Sequence, residues 1–180
     1  MALANYTKSC LKNIAGNSLL YVTEASNVTT VTVSNGEVTA LTMETSKTFK
    51  TVAMDIDTLQ RTEEGKGFGT NIYYTHKIEA TFSYLSTALR TFRNALADAS
   101  PCGMIALVKD GNGTWWLVGY NEVDTTNRGL QLVQDNTTSG KKASEEAGGK
   151  ASIILQSEDG YADLPVKSTS TVAVSGITAA

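Results

Sequence analysis

The chain has 180 residues, 41% of them hydrophobic, and a formal net charge of −3; this suffices for one sizeable core, and two independent domains would each be small. Its lysines and arginines are scattered, so there is no basic footprint for gripping phosphates, which argues against sequence-specific nucleic-acid binding. No apolar run approaches the roughly 20 residues that span a bilayer, and the opening MALANYTKSCLKN lacks the apolar core of a signal peptide. The expectation is a protein that is not membrane-bound and is made and kept in a cytoplasm.

Residues 1–18 are polar with apolar anchors at Tyr6, Leu11 and Ile14, and read equally as a short helix or an extended arm. Residues 19–23 (LLYVT) predict a first strand. Runs 28–33 and 37–43 flank Ser34-Asn35-Gly36, and an Asn-Gly turn between β-branched runs predicts a hairpin. Across 49–61 Val52, Met54 and Ile56 share one phase and Asp55 and Asp57 the other, which predicts one long strand with an acidic outer face. Residues 63–69 (EEGKGFG) then predict the connection of an extended antiparallel hairpin over 49–82. Those glycines lead into a strand, which removes the helix N-terminus that a dinucleotide pyrophosphate needs.

The stretch 71–120 carries the clearest signals. Ile72, Tyr74, His76, Ile78, Ala80 and Phe82 alternate with polar residues, the mark of a strand buried on one side. The period then lengthens to three and four residues at Leu85, Leu89, Phe92 and Leu96, with Ser86 as N-cap and Ser100-Pro101 as terminator, so an amphipathic helix is predicted over about 86–99. Residues 104–108 are apolar throughout, 109–114 (KDGNGT) are turn chemistry and 115–120 (WWLVGY) return, which predicts a hairpin whose first strand is buried on both faces. Beyond it, 130–133 and 151–156 predict two further strands. Between them 135–150 (DNTTSGKKASEEAGGK) carries no apolar residue larger than Ala and reads as a long polar loop; 158–163 reads as a turn. Residues 164–180 form a Thr/Ser/Val tail whose Val172, Val174 and Ile177 suggest that it docks on its own domain or a neighbour.

Little in the sequence points to catalysis. The single histidine, His76, lies in the apolar phase of its strand, and local spacing places no Ser, Cys or carboxylate beside it. It reads as a core or lumen histidine held by one hydrogen bond rather than as a catalytic base. Asp55 and Asp57 share a strand face, where like charges read as a solvated surface before they read as an acid/base pair. Trp115 and Trp116 point to opposite faces, one toward the core and the other toward a sugar or a subunit interface; which is which stays open. Cys10 and Cys102 are far apart without metal-ligand spacing, and read as reduced structural thiols. The four sequons, at Asn5, Asn27, Asn112 and Asn136, carry nothing without secretion. No enzyme activity, metal or cofactor is expected.

In this order the chain resembles phage tail tube proteins, in particular those encoded by phages and prophages of Bacteroidetes bacteria. The resembling segments are a Cys-containing start before GNSLLYVTEASNVTTVTV, then GEVTALTMETSKTFK, NIYYTHKIEATFSYLSTALRTFRNAL, MIALVKDGNGTWWLVGY and ASIILQSEDGYADLPV. They cover most of the chain, whereas the charged loop near Lys141 and the tail after Val166 have no counterpart in the pattern. The resemblance implies a single mainly β domain, an antiparallel β-sandwich or barrel with one flanking helix, framed by arms at about 1–18 and 165–180. It further implies hexameric rings stacking into a tube for non-specific passage of double-stranded DNA, in a virion assembled in the host cytoplasm, with other tail and connector proteins as partners. On this reading Asp55, Asp57, Glu63 and Glu64 line the lumen, the helix residues Leu85, Leu89, Phe92 and Leu96 serve the core, and the termini and the 135–150 loop, with Lys141, Lys142, Glu145 and Glu146, contact the next ring. A tail terminator, head-to-tail adaptor or short-tail ring is the nearest alternative, and a carbohydrate- or surface-binding β-module a more distant one.

Overall fold

The computed structural model describes residues 16–52, 54, 58–83, 85–121, 129–140, 149–159 and 162–166. Among them lie β1 (Asn17–Glu24), β2 (Val28–Ser34), β3 (Glu37–Met43), β4 (Lys50–Val52), β5 (Leu59–Phe68) and β6 (Asn71–Phe82). Helix α1 (Thr87–Ala99) follows, then β7 (Met104–Asp110), β8 (Trp115–Val118), β9 (Gln131–Thr138), β10 (Lys150–Asp159) and β11 (Leu164–Val166). The strands form a seven-stranded sheet ordered β2-β3-β11-β8-β7-β1-β4 and a four-stranded sheet ordered β5-β6-β10-β9, and among the described residues neither closes on itself. The protein is thus mainly β, with two sheets and one α-helix among the described residues.

Two buried clusters organise these elements. In the larger, Leu20, Val22, Val52, Met104, Ala106 and Val108 of the seven-stranded sheet meet Leu59, Ile78, Ala80, Ile153 and Leu155 of the four-stranded one. Helix α1 lays Leu89, Phe92 and Leu96 on the same cluster. The smaller joins Val38, Leu41 and Met43 of β3 to Phe49, Ile105, Leu107, Leu117 and Val166. Strand β7 divides its side chains between the two, which is why 104–108 is apolar at every position. Each such fully buried Leu or Ile contributes about 1.5–3 kcal/mol.

The local signals act as their chemistry requires. Asn35 and Gly36 both take positive φ, 56° and 75°, between Ser34 and its partner Glu37, the two-residue turn that matches strand twist. Ser86 is extended (φ −129°, ψ 164°) and its Oγ accepts from the Leu89 N–H at 3.1 Å, capping α1. Ser86→Ala is expected to cost about 1 kcal/mol, read as a lower urea midpoint at constant m; an unchanged midpoint would mean that the cap is not limiting.

Four expectations are corrected. The alternation over 49–61 belongs to two strands in different sheets, β4 beside β1 and β5 beside β6. It reads as continuous because Val52 and Leu59 face the same cluster. The segment 63–69 is strand, not connection: β5 pairs with β6 from Leu59↔Ala80 to Phe68↔Asn71, and the turn is Gly69-Thr70. Glycines disfavour strands, yet at Gly67 one is required. A Cβ at Gly67 (φ +130°) would lie 1.9 Å from the Asn71 carbonyl oxygen, and Gly65 is covered by the Tyr74 ring. The polar run after 135 begins as strand, with β9 continuing to Thr138 opposite Lys150. Finally, the tail begins with β11, which inserts antiparallel to β8 and parallel to β3. Arm residues 1–15 and 167–180, and with them Cys10, Val172, Val174 and Ile177, lie outside the described residues.

Candidate functional site

Two features stand out: a buried polar cluster between the sheets and an open face on the four-stranded sheet. The cluster starts from the β5–β6 register, which sets Glu63 opposite His76 and puts Arg61 on the same face. Asp163, in the connection to β11, completes it. One Asp163 oxygen lies 2.7 Å from Arg61 Nη1 and the other 2.8 Å from His76 Nδ1, with the Asp163 and His76 side chains only 2% and 3% exposed. The histidine contact is short but outside hydrogen-bond angles. Glu63 accepts the Asp163 backbone N–H at 2.8 Å and lies 3.8 Å from Arg61 and 3.9 Å from His76. From the opposite sheet, the Trp116 ring supports the Arg61 guanidinium at 4.3 Å and donates its indole N–H to Asp110 at 3.0 Å.

This cluster has the donor set of a cation site, since one ligand atom each from Glu63, His76 and Asp163 lies within 4.8 Å of the others. Arg61 already supplies positive charge to both carboxylates, however, so a divalent ion would meet a guanidinium at its ligands. A hydrolytic reading fares no better. Ser157 stands opposite His76 on β10, but its buried Oγ makes no hydrogen bond among the described residues, and an activated serine needs its base within reach. The geometry does serve to join the sheets and fix the approach to β11.

The open face is formed by the other phase of the same strands. Gln60, Thr62, Glu64 and Lys66 of β5 stand beside Thr75, Lys77, Glu79 and Thr81 of β6, followed by Lys150, Ser152, Ile154, Gln156 and Glu158 of β10 and Gln134, Asn136 and Thr138 of β9. Its character is neutral and hydroxyl- or amide-rich. Lys66 reaches Glu64 at 3.0 Å and Lys77 pairs with Glu79. The hydrogen bond and charge of Glu64 raise the Lys66 pKa above its ordinary value. Both edges of this sheet, β5 and β9, lack a further strand among the described residues.

The anticipated site residues are distributed unevenly. Asp55, Asp57, Lys141, Lys142, Glu145 and Glu146 lie outside the described residues. Glu63 and Glu64 do not share a face: successive strand residues alternate, so only Glu64 stands on the open one. Of the helix set, Leu96 is buried and Leu89 and Phe92 pack on the core, whereas Leu85 precedes the cap and is exposed. Both tryptophans are half-buried, Trp116 beneath Arg61 and Trp115 against Tyr21 at 5.5 Å. Cys102 is a free, exposed thiol. Asn27 is buried and donates to Thr23 Oγ1, so that sequon serves the fold. Sequence reading missed Arg61 and Asp163, which sit 102 residues apart. Glu63 was within reach, since a hairpin turning at Gly69-Thr70 sets it opposite His76. Compared with protein-family models, curated proteins and solved structures, the chain matches none.

Proposed function

We propose that this protein is a structural subunit of a phage tail tube, its two sheets forming a β-sandwich flanked by α1. Copies associate as rings, hexameric as the resemblance implies, with the four-stranded sheet toward the lumen. The observation that carries this reading is the middle of the open face, where Lys66 and Lys77 are each paired with a carboxylate, while Lys150 stands at its far end beside Thr138. A wall that must let DNA pass should add no phosphate contacts, because each uncompensated lysine would gain binding through counterion release. Two strand edges on one sheet also suit lateral closure by neighbouring copies. The partners on this reading are further copies of the chain and other tail and connector proteins, in a virion assembled in the bacterial cytoplasm, without enzymatic activity or membrane contact.

A terminator or adaptor ring would share these features but not stack. The carbohydrate-binding reading loses support, since each tryptophan ring is engaged within the protein and neither is offered as a fully exposed platform. Negative-stain electron microscopy of the purified protein at rising concentration tests the proposal. Stacked rings or tubes with an axial hole are expected; single rings would favour the terminator or adaptor, and a persistent monomer would overturn the assembly.

A further inference from the structure

The β5–β6 hairpin outruns its sheet. Strand β10 pairs with β6 only as far as Asp159↔Tyr74, so 66–73 is a ribbon of two strands with no third neighbour among the described residues. Isolated two-stranded ribbons are marginal in water, and this one exposes three large hydrophobic side chains. Phe68 is 95% exposed, Ile72 53% and Tyr73 38%, three of the five exposed large hydrophobic residues described. A fourth, Leu85, lies at the opposite end of β6, roughly 35–40 Å away at about 3.3 Å per strand residue. There Leu85, Leu89, Thr87, Arg90, Arg93 and Thr137 line a cleft of about 330 Å³ between α1 and β9.

We propose that the ribbon tip of one copy docks end-on into the α1–β9 cleft of a second copy. The inference rests on the tail-tube reading and specifies the axial contact within it. Because tip and cleft occupy opposite ends of one strand, a single molecule cannot join them, and a head-to-tail contact between such surfaces repeats without closing. Charge favours the same pairing. Beside the tip stand Glu64 and Glu158 with one lysine, Lys66, while the cleft end carries Arg90 and Lys150, which belong to no ion pair among the described residues. Phe68 supplies an aromatic anchor for an apolar floor at Leu85 and Leu89, with Arg90 placed at the rim to lie over its ring.

The test has two arms. Phe68→Ser and Ile72→Ser, both at exposed positions, should leave the thermal melt unchanged and raise the concentration needed for stacking at least about tenfold; Val133→Ser, exposed but away from the tip, should not. In the second arm Phe68→Cys and Leu85→Cys are combined in a chain with Cys10→Ser and Cys102→Ser and treated with a short thiol cross-linker. A ladder of covalent multimers is expected, requiring both new thiols. Rings or tubes without a ladder, or tubes unaffected by Phe68→Ser, would overturn the docking and leave the tube reading standing. Neither ladder nor assembly would overturn both.

Discussion

Asp163→Ala is expected to lower the unfolding free energy by about 3–5 kcal/mol, the range for removing one partner of a buried ion pair. The Asp163 side chain is 2% exposed and sits against Arg61 and His76, so its loss leaves a guanidinium and an imidazole facing each other without the carboxylate between them. Chemical denaturation with m held constant reads the effect, and in a chain of this size it corresponds to a drop in Tm of roughly 2–4 °C per kcal/mol. Replacing the charges together should behave differently. Arg61→Met, His76→Leu and Asp163→Leu in one chain removes the desolvation cost along with the attraction, and should be far less destabilising than Asp163→Ala alone. If Asp163→Ala cost less than about 1 kcal/mol, the cluster would be behaving as a surface ion pair and the joining of the sheets would rest on the apolar core alone.

The contrast between Glu63 and Asp163 explains what the sequence made legible. Several local patterns hold in the fold: the β6 alternation, the Ser86 cap, the Asn35-Gly36 turn and the doubly buried 104–108 of β7 all depend on neighbours within a few residues. The errors came where tertiary context supplied the missing strand signal. EEGKGF has Phe68 as its single β-former and is held in β5 by its pairing with β6, which at Gly67 brings the Asn71 backbone too close for a side chain. DNTT of β9 is polar on both faces because it is an edge strand, so neither face had to be apolar. The break between β4 and β5 was hidden because both sheets turn apolar side chains to one cluster. As for the cluster itself, no local spacing announces Asp163, which comes to His76 only through the insertion of β11 beside β8.

Reversing the acids of the open face should turn a passive wall into a DNA-binding one. In wild-type protein the face holds Lys66 with Glu64 and Lys77 with Glu79, all exposed or partly exposed, so the pairing matters for the field the face presents rather than for stability. The double variant E64K/E79K shifts each copy by four charge units, and ring formation multiplies that shift around the lumen. With 6–10 phosphates neutralised, affinity for double-stranded DNA should fall about 10³- to 10⁵-fold between 50 and 200 mM salt. Wild-type assemblies should show little retention and a shallow salt slope. The assay is filter or sedimentation binding of a short duplex to preformed assemblies across that salt range, with a charge-neutral E64Q/E79Q variant expected to lie between the two. Equal retention by wild type and E64K/E79K, in assemblies of the same appearance, would place the four-stranded sheet outside the DNA path, because a lumen lined by added lysines cannot be indifferent to a polyanion passing within a Debye length of about 8–10 Å.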